Sequence, residues 1–113
     1  MNVEWCKKGH LKNVYLLFFS SLMKELQLRN VFAESQVPIP LNYKGFSLSK
    51  DFRMDILVEK EIILELKTVE SLLPIHEAQI ISYLKLADKR LGFLINFNVP
   101  IIKNGFRRFV NNY

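Results

Sequence analysis

The sequence predicts a single α/β domain in which a first helix leads into three or four strands, a second helix and one or two closing strands. Three observations point there. Apolar residues recur at spacings of three and four between Leu11 and Leu26, along one helical face. Phe52 to Val58 and Ile62 to Val69 are rich in β-branched and aliphatic residues, with only Glu59, Lys60 and Glu61 between them. Pro74 then stands where the first turn of a helix tolerates proline. At 113 residues, 50% of them hydrophobic and 12% aromatic, the chain can build one core and is not a disordered polymer. Four glycines and four prolines exclude a collagen-like repeat.

Residues 1–10 read as a flexible or shortened N-terminal segment, and 11–113 as the domain. The first helix is expected from Leu11 to Asn30, with Leu11, Val14, Tyr15, Phe18, Leu22 and Leu26 inward. Leu16, Leu17 and Phe19 widen that face, so the helix is covered on more than one side or stands at an interface. Pro38 and Pro40 forbid a central helix and suit an edge strand. Asn42 to Gly45 reads as a turn, joining about 34–41 to 46–49 in a hairpin. After the two clear strands, Ile75 to Ala87 forms the second helix, Gly92 to Phe97 a short strand, and Phe106 to Val110 a last strand. Arg107 and Arg108 lie on or near the exposed face of that strand. Phe93, Phe97, Phe106 and Phe109 alternate with other residues as core aromatics do.

Sixteen basic and eleven acidic residues give a net charge of +5. From Ile81 onward six basic residues meet one acid, Asp88, which suggests a basic face suited to a polyanion. Lys85, Lys89 and Arg90 form one group; Lys103, Arg107 and Arg108 form another. Such side chains position a phosphate backbone without reading bases, and equally serve as ordinary solubilising charge. Cys6 is the lone cysteine, which excludes an intrachain disulfide and a zinc cluster. The longest apolar run, Val14 to Phe19, is six residues, against roughly 20 for a membrane span. A soluble cytoplasmic protein with no membrane partner is expected. No phosphate-binding glycine loop, nucleophilic triad or dinucleotide fingerprint is present.

Asp55, Glu65 and Lys67 carry the chemistry. Residues two apart on a strand face the same way, so Glu65 and Lys67 project together while Ile62, Leu64 and Leu66 line the other face. Asp55 stands opposite Glu65 only if Val58 pairs with Ile62 across a three-residue loop, 59–61. Asp55 and Glu65 then suit Mg²⁺ or Mn²⁺, and Lys67 can orient or deprotonate a water or steady charge on phosphorus. The competing reading is a salt-bridge cluster on a solvated sheet edge. Gln79 shares a helix side with His76 and Tyr83, either reaching the carboxylates or water, or making local hydrogen bonds. His76 has no second histidine near it in sequence and is a weak metal ligand.

The stretches Phe52 to Glu59 and Ile62 to Glu70 resemble the central hairpin of GxxExxY proteins, a family related to the PD-(D/E)xK nucleases. His76 to Gln79 with Tyr83 to Lys85 resembles the following helix, and Gly92 to Val99 the following strand. The resemblance runs from about residue 9 to 110. It implies a restriction-endonuclease-like αβββαβ core, a mixed central sheet flanked by helices. It further implies Asp55 and Glu65 as metal ligands, Lys67 as the catalytic lysine, and Gln79 as a supporting glutamine. The family's name motif falls on Gly9, Lys12 and Tyr15, and the chain departs from it at Lys12, where lysine replaces the first-helix glutamate. Eight residues precede Gly9, as in a shortened copy. Three functions compete on this basis: a metal-dependent nuclease, a non-catalytic nucleic-acid-binding remnant, and an interaction protein forming a homo-oligomer through the 11–23 helix.

Overall fold

The computed structural model describes residues 10–40, 42–43, 46–47, 52–98 and 102–111, and their side chains except at 10–12, 42–43, 46–47 and 102–103. The expectations for residues 1–9, including Gly9, and for the turn at Gly45 lie outside the described residues, as does the Lys12 side chain, while His10, expected in the flexible segment, opens the first helix. The elements are α1 (His10–Leu28), β1 (Ala33–Pro38), β2 (Asn42–Tyr43), β3 (Phe46–Ser47), β4 (Arg53–Val58), β5 (Ile62–Lys67), α2 (Pro74–Leu86), β6 (Leu91–Asn96), a short 3-10 turn (Ile102–Gly105) and β7 (Phe106–Val110). Five strands form one mixed sheet in the order β1-β4-β5-β6-β7, with β5 and β6 parallel and the other pairs antiparallel. This is the αβββαβ arrangement the sequence led us to expect, closed by β7.

Each helix covers one face of the sheet. α1 lays Tyr15, Phe19, Leu22, Met23 and Leu26 against Ile56, Val58, Leu64, Leu66 and Ile95. Phe18 stacks on Phe97 with ring centres 4.3 Å apart. α2 sets Ile80, Tyr83 and Leu84 against Met54, Leu57, Ile63 and Leu94 on the opposite face. Both helices stop the same way. Asn30 and Asp88 take left-handed backbone angles (φ 58° and 56°). The amides of Val31 and Lys89 reach back to the carbonyls of Leu26 and Leu84, in each case at 2.9 Å. Those bonds, with Asn30 to Gln27 and Asp88 to Lys85, close a Schellman turn and satisfy carbonyls at each helix end.

Three expectations are corrected. β1 does not pair with β3, the described part of the 46–49 region. It pairs with β4, Ala33 opposite Val58 through Pro38 opposite Arg53, while β2 and β3 form a separate two-stranded piece. β4 is buried from Ile56 to Val58 and needs a neighbour on its free edge, which β1 supplies; Pro38 then falls at the end of an outer strand, where a missing amide is tolerated, and Pro40 follows it. β5 stops at Lys67 rather than Val69, because the side chain of Asn96 takes both backbone groups of Val69 (Val69 N–H to Oδ1, 3.1 Å; Nδ2–H to Val69 carbonyl, 2.9 Å). Phe106 is 43% exposed and packs edge-on against Phe93 instead of entering the core.

One irregularity prepares the site. Ser35 pairs with Ile56 and Val37 with Met54, but Gln36 and Asp55, between them, make no ladder pair. Gln36 has φ 55°. Met54 and Val37 pack on the α2 side, yet so does Leu57, while Ile56 and Val58 pack on the α1 side. Both strands therefore turn over together at Gln36 and Asp55. Asp55 stands at the point where ordinary alternation fails.

Candidate active site

The register between β4 and β5 pairs Val58 with Ile62, Leu57 with Ile63 and Ile56 with Leu64. The next opposed residues are Asp55 and Glu65, the arrangement that two cooperating carboxylates required. The loop is 59–61, with Glu59 and Lys60 both at positive φ and Glu61 N–H donating to the Val58 carbonyl. Beyond Leu64 the backbone ladder gives way to side chains. Asp55 N–H donates to Glu65 Oε1 at 3.2 Å, and Leu66 N–H donates to Asp55 Oδ2 at 2.8 Å. The strands fork here, and the carboxylates fill the fork.

Burial sets the electrostatics. Glu65 is 2% exposed on the middle strand of the sheet, so the reading of a solvated edge cluster fails. Burial first, and the Asp55 charge second, push the Glu65 carboxyl up to about 8. Burial also raises Asp55, opposed by the Leu66 amide, the Lys67 charge and a hydrogen bond from the Tyr15 hydroxyl. The two carboxyl groups hydrogen-bond to one another. In the metal-free protein they hold a proton between them, as close acids in a poorly solvated place must.

Lys67 leaves the same strand end and donates from Nζ to Gln79 Oε1 at 3.0 Å. Gln79 Nε2–H donates to the Tyr83 hydroxyl at 3.0 Å, and that hydroxyl is raised by burial. Asn96 fixes the segment that follows Lys67 through its bonds to Val69, and Phe97 N–H donates to the Lys67 carbonyl at 2.8 Å. Asp55, Glu65, Lys67 and Gln79 thus belong to one neighbourhood.

The basic residues divide. β5 and β6 are parallel, so α2 carries the chain back along the sheet, and Lys85, Lys89 and Arg90 lie at the end away from Lys67. Six residues of β6 separate Arg90 from that end, about 20 Å at the usual strand rise. Arg107 is opposite Leu94, which is opposite Glu65, so it shares the row of Glu65, two strands away on the α2 side. Arg108 is opposite Phe93 on the other face, and both arginines are exposed.

The chain matches the sequence pattern of the PD-(D/E)XK nuclease superfamily over residues 7–109. It belongs to that superfamily. A crystal structure of the protein SSO0001 is similar to this PD-(D/E)XK chain with a TM-score of 0.69 at 23% identity, over 96% of this chain and 54% of the other, and at that identity it speaks for the fold. The chain thus spans about half the length of that structure. No curated protein matches the sequence.

The site fits a divalent cation by its donor set. One oxygen of each carboxylate is engaged by a backbone amide, and the carboxyls share a proton that a cation would replace. Among the described residues no group of three His, Cys, Asp or Glu side chains is placed to hold a metal. Mg²⁺ commonly uses only one or two carboxylates, with water and substrate phosphate completing its shell, so two acids suffice. No described helix is long and apolar enough to cross a membrane.

Two residues of this neighbourhood have no active-site role in the sequence reading. Tyr15 is legible there as part of an apolar helical face, and nothing local says that the face is turned toward acids. Asn96 is a lone amide closing an apolar strand; a polar residue in that position signals a buried anchor, and 2% exposure with three hydrogen-bond contacts is what it becomes.

Proposed function

We propose that this chain is a metal-dependent nuclease of the GxxExxY branch of its superfamily, hydrolysing phosphodiester bonds in nucleic acid. Asp55 and Glu65 are its metal ligands, Lys67 and Gln79 its catalytic residues. The observation that carries the reading is the opposition of Asp55 and Glu65 in the β4–β5 register, with Lys67 on the same strand end. A bound Mg²⁺ or Mn²⁺ supplies an acidified water and offsets negative charge on the phosphoryl group. Asp55 and Glu65 fix the cation through oxygens already oriented by backbone amides. Lys67 holds a phosphate oxygen or orients the attacking water, and Gln79 sets the direction of its ammonium. Arg107 and Arg108 contact the phosphate backbone beside the site; Lys85, Lys89 and Arg90 extend that contact at the far end of the sheet.

A second reading rests on Lys12. It stands one helical turn before Tyr15, whose hydroxyl reaches Asp55, at the place where the family has glutamate. A cation there, in place of an acid, disfavours metal binding, which would leave a nucleic-acid-binding protein without turnover. A nuclease screen with DNA and RNA in Mg²⁺ and Mn²⁺ separates the two. The wild type cleaves and Asp55→Asn does not if the first reading holds. Cleavage that appears only in Lys12→Glu identifies the second. Absence of cleavage in both, with no divalent-ion heat in calorimetry, sinks the enzymatic proposal.

A further inference from the structure

We propose that His76 is a phosphate-binding residue of this site: its imidazole, anchored through Nδ1 at the start of α2, presents Nε2–H to a phosphate oxygen of a nucleic-acid strand lying against Lys67 and Gln79. The inference rests on the nuclease reading and adds to it a contact that none of the residues so far assigned provides.

The imidazole is oriented by the chain itself. His76 Nδ1 accepts the Leu73 N–H at 2.9 Å. A nitrogen that accepts carries no hydrogen, so the ring proton sits on Nε2, and the ring is a donor on its far side. Burial, and then the charge of Lys67, hold the imidazole below the usual histidine range, which keeps it neutral at pH 7. Among the described residues nothing accepts from Nε2.

Its position suits a ligand of the same site. His76 lies three residues before Gln79 and so on the same side of α2, about 4.5 Å nearer the helix start. Gln79 is occupied at both ends, by Lys67 and by Tyr83. His76 is the next polar group along that side, and the Lys67 charge is close enough to act on it. The start of α2 adds the positive end of a 13-residue helix, which favours an anion in the same place. Lys67, the helix start and a neutral N–H donor therefore converge where a phosphate of a bound strand would lie.

The bland role for His76 is a helix cap, and two substitutions separate the roles. Asparagine keeps an acceptor at the Nδ1 position for Leu73 but has nothing at Nε2. Glutamine carries an amide nitrogen out to the Nε2 position. Binding of fluorescein-labelled oligodeoxynucleotide and oligoribonucleotide, single-stranded and duplex, is read by anisotropy in EDTA over a salt series. His76→Asn weakens binding about five- to tenfold, the size of one neutral hydrogen bond. It leaves the salt slope unchanged, because a neutral donor releases no counterion. His76→Gln restores most of the affinity, whereas Lys67→Ala weakens binding and lowers the slope by about 0.7–0.9. If His76→Asn binds as tightly as wild type, or Gln fails to restore what Asn loses, the assignment of His76 is wrong while the nuclease reading stands. If the wild type binds none of the probes, the nuclease reading falls, and this inference with it.

Discussion

At the scale of single residues, the proton shared by Asp55 and Glu65 makes the metal-free protein's stability depend on pH. Glu65 is protonated in the folded chain up to about 8 and ionises near 4.5 when unfolded. Between those values the folded state holds the extra proton, so stability falls as pH rises, by up to about 1.4 kcal/mol per pH unit. Urea titrations in EDTA between pH 6 and 8 should show this decline, and Glu65→Gln should remove most of it. A divalent cation competes with the same proton. Calorimetric affinity for Mn²⁺ should therefore rise between pH 6.5 and 8, with proton release, and vanish in Asp55→Asn. Tyr15 acts on this pair from the other helix. Tyr15→Phe removes a donor to a buried carboxylate and should cost about 1.5–3 kcal/mol in metal-free urea titrations near pH 8, with a loss of Mn²⁺ affinity.

At the scale of elements, the helix ends carry backbone strain that glycine would relieve. Asn30 and Asp88 occupy left-handed positions at which a side chain costs energy. Asp88→Gly should raise stability by about 0.5–1 kcal/mol in denaturant titrations, as should Asn30→Gly. These positions also mark what the sequence makes legible. Periodicity found α1, Pro74 marked the start of α2, composition found β4 and β5, and a three-residue loop over 59–61 was the condition for the register that brings Asp55 to Glu65. Each is a local signal, readable over a few residues. The partner of β1 was not readable, because pairing with β4 depends on covering a buried edge some twenty residues away. The inversion at Gln36 and Asp55 was hidden for the same reason: it is agreed between two strands, and neither shows it alone. The candidate site was legible in four side chains. Tyr15 and the Asn96 clamp were not, since their roles arise only when α1 and the end of β6 are brought beside the strand fork.

At the scale of the whole molecule, positive charge sits at both ends of the sheet and the acids at one. If Arg107 and Arg108 serve the site, replacing both with alanine should weaken oligonucleotide binding and lower the salt slope by about 1–2. The combined change of Lys85, Lys89 and Arg90 to alanine should leave cleavage of short strands intact while weakening binding to long ones. α1 leaves Leu16 49% and Leu17 63% exposed, which favours contact with a second copy of the chain. Light scattering should then show an oligomer that Leu17→Glu reduces to a monomer.

Gly105 sits so close to β6 that an added methyl carbon would lie 2.1 Å from the Asn96 carbonyl oxygen. β7 can close the sheet only because position 105 has no side chain. A larger residue there would lever the outermost strand, and its two arginines, off a scaffold whose carboxylates sit two and three strands inward. The domain is thus built with a detachable rim: its grip on a polyanion and its capacity to cut one are open to separate damage, and separate evolution, at the cost of a single methyl group.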